Sequence, residues 1–344
     1  MSIVGAFDVR RRQLTFDYLE TTTGEVKRGR VAPADREHLR AWLARFAGHD
    51  DVHFALEGCT GWRYVAEELA AAGIIAHLAD PADTAALRGR KRHAKTDKTD
   101  SRHLRSHLAA GDLPESWIPP VQVLEARALV RLYKDLLDER GGWHQRVAAT
   151  LFHQGVPAGA SMATARGRAA VAGMDLSPAG RLAVCTGLRQ VDRLTGELDA
   201  LRRQLSTLSL CQPGCRVLRA TQYGVGAVTS VAVWAELGDV RRFASSDDVI
   251  RYTGLDVTVY SSDGKRSAGH LSRQGPPLLR WALYEAAKCA ARPGSPDHAY
   301  YAAARHRRTG GLATLSVARK LARRCYHTLR ELGDDALASI APAA

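Results

Sequence analysis

Ala94-Lys95-Thr96-Asp97-Lys98-Thr99-Asp100-Ser101-Arg102-His103-Leu104 sets two carboxylates three residues apart at the predicted start of a helix. Positions i and i+3 share a helix face, so Asp97 and Asp100 can address a single point. Two acids held close repel each other unless a cation lies between them. The stretch closes a basic run containing Arg88, Arg90, Lys91, Arg92, Lys95 and Lys98. That charge suits a polyanion passing over such a cation. Carboxylates for a metal beside cations for phosphates point to a nuclease-type site; in isolation the same residues would read as a solvated helix start.

The segments upstream supply a frame for these acids. Residues 3–9 read as a buried strand, and 14–19 and 26–31 as two more, joined by the turn Thr23-Gly24-Glu25. A helix is expected over 33–47 with Pro33 in its first turn. A fourth strand over 52–57 ends at Gly58, followed by a helix over 62–72, a strand over 74–78 and a helix over 97–110. Three meandering strands and then alternating helices and strands predict an α/β unit, a mixed sheet flanked by helices. In that order Asp8 lies on the first strand, with Phe7 and Val9 on the opposite face, and Glu57 closes the fourth. A carboxylate ending an apolar strand is costly unless it is bound or solvated.

Asp8, Glu57, Asp97 and Asp100 are therefore the candidate metal ligands. Metal-assisted phosphodiester cleavage needs hard oxygen donors, and paired cations about 3.5–4 Å apart stabilise both the attacking and the leaving oxygen. Their order matches a ribonuclease-H-like sheet, in which acids from central strands meet acids from a later helix. Asp17, Asp50 and Asp51 read as acids of turns or strand ends. His53 and His103 read as ordinary surface or half-buried residues.

Pro114, Pro119 and Pro120 end this unit. Leu129, Leu132, Leu136, Trp143 and Val147, and then Leu188, Val191, Leu194, Leu198, Leu201 and Leu205, recur at helical spacing on either side of a connector over 157–173. They predict an antiparallel hairpin or an intermolecular coiled coil, with a bend in the first helix at Gly141 and Gly142. Beyond Gly214, Tyr223-Gly224-Val225-Gly226 lies between two helices, either a helix-hairpin-helix-like phosphate cradle or a plain turn. Ser245 reads as an N-cap with Asp248 three residues on. Helices over 276–292 and 312–332 follow; the second carries Arg319, Lys320, Arg323 and Arg324, a phosphate-facing stripe or a solvated face. The divisions expected are 1–118, 119–210 and 211–344.

The 344 residues carry a net charge of +13 with 45% apolar content, and the pI is near 9.8. That excess of Arg and Lys points to nucleic acid as partner. No apolar run reaches the length of a membrane span, and the N-terminus enters a strand without a signal-peptide pattern. A cytoplasmic protein with no membrane partner is expected. Cys211 and Cys215 resemble half a zinc site, but no second pair stands at the right spacing.

Residues 254–280 combine small hydroxyl residues with glycines and cations. Ser262 precedes Asp263-Gly264-Lys265-Arg266, so an exposed hydroxyl would have cations at hand for attack on a phosphate; the same pattern also fits a plain hairpin loop. Phe7-Asp8-Val9, Leu56-Glu57-Gly58-Cys59-Thr60-Gly61 and Lys95-Thr96-Asp97-Lys98-Thr99-Asp100 resemble the RuvC-like motifs of the DEDD transposases of the insertion sequence 110 family. Gly224-Val225-Gly226, Glu236-Leu237-Gly238-Asp239, Tyr252-Thr253-Gly254-Leu255 and 262–275 resemble its C-terminal transposase domain.

The resemblance covers nearly the whole chain. It implies a RuvC-like domain, a coiled-coil hairpin and a mainly helical domain with the serine. It further implies Mg²⁺ on Asp8, Glu57, Asp97 and Asp100, and Ser262 as the nucleophile of a phosphoserine link to DNA. Donor and target DNA, a structured guide RNA and a homo-oligomer, dimer or tetramer, are the implied partners. Arg90, Lys91, Arg92, Lys95, Lys265, Arg266 and Arg273 are the expected nucleic-acid contacts. Two departures stand out: Tyr223 replaces a proline, and Asp263 replaces the glycine after the nucleophile, which leaves Ser261 as an alternative and Ser267 and Ser272 as weaker ones. A hydrolytic junction nuclease, or a non-catalytic assembly protein, would share the acids or the charge without the serine chemistry.

Overall fold

The computed structural model describes residues 1–87, 97–156, 164–258, 260–262, 265–267 and 269–338. They divide into two compact units, Met1–Ile118 and Pro119–Ala344.

The first unit is built on β1 (Ile3–Val9), β2 (Leu14–Glu20), β3 (Val26–Val31), β4 (Val52–Glu57), β5 (Ile75–Ala79) and the short β6 (Glu115–Ser116). They form one six-stranded sheet in the order β3-β2-β1-β4-β5-β6. β1, β4 and β5 run parallel, and β2, β3 and β6 join antiparallel. This mixed sheet is compatible with a ribonuclease-H-like arrangement. Around it lie α1 (Arg36–Leu43), α2 (Trp62–Ala71), α3 (Pro81–Leu87) and α4 (Asp97–Ala110).

The period of two along β1 decides which residue meets which layer. Ile3, Phe7 and Val9 enter a core with Phe16, Tyr18, Trp42, Phe46 and Phe54, while Val4 and Ala6 enter a second core with Ala55, Ala79, Leu104 and Leu108. The first core is aromatic: Phe16 and Trp42 centroids lie 4.5 Å apart and Phe7 stacks on Phe54 at 5.0 Å. Gly5 makes room for that stack, since a Cβ there would fall 2.3 Å from the Phe54 ring. Helix α1 begins at Arg36, not at Pro33, because Asp35 is its N-cap and accepts from the His38 N–H.

In the second unit α5 (Val121–His153) and α7 (Pro178–Cys211) are long helices. They pack antiparallel within the chain. Arg202 donates to the Tyr133 hydroxyl, Gly187 lies against Val147, and the Ser177 N–H bonds to Gln154. Helix α5 runs unbroken through Gly141 and Gly142. α6 (Ala165–Ala172) occupies part of the expected connector, of which 157–163 lie outside the described residues.

Next come α8 (Pro213–Thr221), α9 (Ala227–Leu237), α10 (Ser246–Thr253), β7 (Tyr260–Ser262), β8 (Lys265–Ser267), α11 (Pro277–Ala287), α12 (His298–Arg307) and α13 (Gly310–Leu332). Ser245 and Asp248 form the expected capping box on α10. Helix α9 is buried from Ser230 to Leu237; its Trp234 indole donates to the Ala336 carbonyl at 2.7 Å. No helix among the described residues is long and apolar enough to cross a membrane.

Glu68 of α2 is buried, yet its carboxyl lies below the usual range: the hydrogen bond from Arg40, at 2.6 Å, and that from Arg36, at 2.8 Å, together outweigh burial. A carboxyl lowered by folding stabilises the folded state above its unfolded value and loses that contribution as pH falls through the folded one. Glu68→Gln should therefore be less stable than wild type at neutral pH. The two melting temperatures should converge as the pH falls below about 4.3. Parallel melting curves across that range would refute the assignment.

Candidate metal centre and serine ribbon

Asp8 and Glu57 are brought together by strand register. β1 and β4 pair in parallel up to Phe7↔Leu56, so the next residues, Asp8 and Glu57, end adjacent strands about 4.8 Å apart. Both fall on the face of Ala6 and Ala55, the face covered by α4. On α4, Leu104 and Leu108 pack into that second core. Asp100 is one turn upstream of Leu104 on the same stripe and is only 7% exposed, as is Asp8.

One guanidinium reports how close the acids come. Arg10 Nε lies 3.0 Å from Asp8 Oδ2, and its Nη2 lies 3.8 Å from Asp100 Oδ2. Glu57 and Asp8 both raise the Cys59 thiol, after burial, the larger cause, while Arg10 opposes them. Strand end, strand end and helix start thus share one electrostatic locus. Asp97 opens α4, three residues before Asp100.

Among the described residues no three His, Cys, Asp or Glu side chains gather closely enough to hold a metal ion. The donor set at this locus is nevertheless all oxygen, the type that hard cations take. Thr15 sits opposite Asp8 in the β1–β2 register. It is 4% exposed, and its buried hydroxyl has no hydrogen-bond partner. An orphaned buried oxygen beside a carboxylate is where a water or a ligand completes the bonding. In donor type, the carboxylates of Asp8, Glu57 and Asp100 are those that a hard divalent cation takes.

Sequence reading passed over Thr15 and misplaced Asp17. Asp17 lies in the middle of β2, paired with Ala6, and is 1% exposed. It accepts from Arg105 of α4 and, at 2.6 Å, from Arg28 of β3. The Leu-Thr-Phe-Asp-Tyr alternation of β2 was the available signal. His53 bonds to Asp51 and to His77, each at 2.8 Å, and His103 packs edge-on against His107.

Arg90, Lys91, Arg92 and Lys95 lie outside the described residues. In the second unit Ser262 ends β7, paired with Lys265, and Ser261 pairs with Arg266. Arg273 is exposed and holds a left-handed backbone, φ 54°. The Ser272 hydroxyl is engaged by Asp256.

The basic residues on α13 each have a partner within the fold. Arg319 donates to the Leu255 carbonyl, Arg323 pairs with Asp247, and Lys320 and Arg324 pair with buried Asp297. Burial raises the Asp297 carboxyl, but Arg324 and Lys320 together hold it below the usual range. The Gly226 N–H is likewise taken, by the Thr229 hydroxyl. All six cysteines are free, Cys211 exposed and Cys215 buried.

Breaking a buried pair by removing one partner costs about 3–5 kcal/mol. Asp17→Ala should destabilise the first unit by that order in urea unfolding. Arg28→Ala, half-exposed in the same cluster, should cost about 0–1 kcal/mol. Equal effects of the two substitutions would refute a buried Asp17–Arg105 tie.

Two family models match the chain: one described as a transposase, of DEDD type, over residues 6–153, and one described as the IS116/IS110/IS902 transposase family, over 216–302. A Pseudomonas aeruginosa protein named as a family 20 transposase is 25% identical over 286 residues, 78% of this chain and 81% of its own length. The transposase y4rJ of Sinorhizobium fredii is 27% identical over 242 residues, 64% of this chain and 60% of its own. The two matched ranges, one reaching across the sheet unit and one within the second unit, lie in one chain, which belongs to the IS110 family of transposases.

Proposed function

We propose that this transposase cuts and rejoins DNA through a serine nucleophile assisted by a divalent cation. The observation that carries the reading is the approach of Asp8 and Asp100 to a single guanidinium, with Glu57 at the neighbouring strand end. Asp8, Glu57, Asp97 and Asp100 are the residues that would hold Mg²⁺. When bound, it supplies Lewis-acid polarisation of the phosphate and stabilises the leaving oxygen. The Ser262 hydroxyl attacks phosphorus, the bond to the 3′-oxygen breaks, and that oxygen takes up the proton. The 5′-phosphate remains esterified to the serine, so the later rejoining needs no external energy. Lys265 and Arg266 offset charge nearby.

Arg90, Lys91, Arg92, Lys95 and Arg273 join them in holding nucleic acid, including a structured guide RNA. Self-association through the long hairpin completes the proposal. Phe152 on α5 is 78% exposed and Leu182 on α7 is 66% exposed, apolar side chains open to a second copy of the hairpin.

The mechanism separates from hydrolysis on a denaturing gel with labelled DNA. Wild type should leave a protein–DNA adduct. Ser262→Ala should abolish it, and Asp97→Asn should reduce cleavage at least 10²-fold, as loss of transition-state charge stabilisation does, while the variant stays folded. Cutting without an adduct in any variant would establish the hydrolytic reading instead. Loss of the adduct in Ser261→Ala alone would move the nucleophile by one residue. Phe152→Glu with Leu182→Glu should lower the mass seen by light scattering, and an unchanged mass would remove the hairpin from assembly.

A further inference from the structure

The segment that carries Ser262 leaves the helical core and returns to it at one place. The Arg273 N–H bonds to the Gly254 carbonyl, Ser272 N–H to Asp256, and Thr258 N–H to His270. Val257 bridges Leu271, and the pairs Tyr260↔Ser267, Ser261↔Arg266 and Ser262↔Lys265 extend the ladder. Residues 254–258, 260–262, 265–267 and 269–273 thus form one antiparallel ribbon with Ser262 near its tip, eight residues from the base. At roughly 3.3 Å per residue the ribbon reaches roughly 26 Å if fully extended. An isolated two-stranded ribbon is marginally stable in water, so its direction must be set where it joins the core.

Two guanidiniums occupy that junction. Arg280 Nη1, from α11, lies 3.1, 3.3 and 3.0 Å from the carbonyl oxygens of Thr253, Gln274 and Gly275. It therefore ties together the chain entering the ribbon and the chain leaving it. Arg319 Nε, from α13, donates to the Leu255 carbonyl at 2.6 Å. Neither arginine has a carboxylate at ion-pair distance among the described residues. Their donors go to main-chain oxygens, which fixes backbone rather than balancing charge.

The two strands are also pressed together at this point. Gly254 and Gly275 have φ of 65° and 87°, and a Cβ on them would fall 2.1 Å from the Gln274 oxygen and 2.0 Å from the Tyr252 oxygen. No other residue type fits either position.

We propose that Arg280 and Arg319 are positioning residues that aim the ribbon and thereby set where its tip meets a DNA phosphate. The proposal rests on the reading that the ribbon carries the nucleophile. Its physical basis is leverage. A rotation of about 10° at the base moves a tip roughly 26 Å away by about 4.5 Å, whereas a 1 Å misplacement already costs a reaction about 10²-fold.

The test uses the full chain as Arg280→Ala, Arg319→Ala, Arg280→Lys and Ser262→Ala. Amide hydrogen exchange and the covalent protein–DNA adduct are read together, the adduct from cells carrying the chain's own insertion sequence. Arg280→Ala should speed exchange at 254–258 and 270–273 at least tenfold, leave α9 and α13 protected as in wild type, and lower the adduct at least tenfold. Arg280→Lys, which keeps the charge but not the planar fork, should recover both readouts in part. Arg319→Ala provides the same reading should Arg280→Ala fail to fold. A folded Arg280→Ala or Arg319→Ala with wild-type exchange, or with a loosened ribbon and a wild-type adduct, overturns the proposal. Ser262→Ala should lose the adduct with the ribbon still protected. An adduct that persists there but disappears in Arg280→Ala upholds the clamp and removes Ser262 as nucleophile.

Discussion

The docking of α4 on the sheet is the constraint from which the acidic locus follows. Ala6, Ala55 and Ala79 leave a shallow floor across three adjacent strands, and Leu104 and Leu108 settle into it. Small residues under large ones allow close approach at interior packing density. Packing alone would let a helix slide or roll. The Arg105–Asp17 pair, buried on both sides, pins its position along the sheet. Once Leu104 and Arg105 are placed, Asp100 has nowhere to go but one turn back along the stripe, over the end of β1.

That explains what the sequence disclosed about the site and what it did not. The strands were legible because a half-buried strand writes its two faces in alternation, and Asp8 and Glu57 stood out as acids ending otherwise apolar strands. Asp17 obeys the same alternation but was read as a strand-end acid. Its partner Arg105 is 88 residues downstream, and nothing local marks a polar position as covered by a helix so distant in sequence. The partners of the α13 arginines were hidden for the same reason, since Asp297, Asp247 and the Leu255 carbonyl reach them only through the fold. Short elements such as α3, β6 and α12 span too few residues for a periodic signal.

The two halves of the chain solve one problem in different ways. In the sheet unit, the acidic side chains stand on regular elements whose register fixes them, and strand ends next to a helix start need little further support. In the second unit Ser262 stands on a two-stranded ribbon, which has no packed face comparable to a sheet. There, arginines donate to main-chain carbonyls where the ribbon joins the helices, and glycines permit the strands to converge.

The arginines of the acidic locus differ in burial, and the difference separates scaffold from site. Arg105 has an 11% exposed side chain against an Asp17 at 1%, whereas Arg10 is 48% exposed where it meets Asp8 and Asp100. A half-exposed pair contributes about 0–1 kcal/mol, and loss of a partner from a buried one costs about 3–5 kcal/mol. Arg10 meets the acids from the solvent side, and α4 and the strands hold the carboxylates it faces. Asp8 and Asp100 keep like charges close together, which costs stability, and the neutral core and the buried ion pair one turn away offset it.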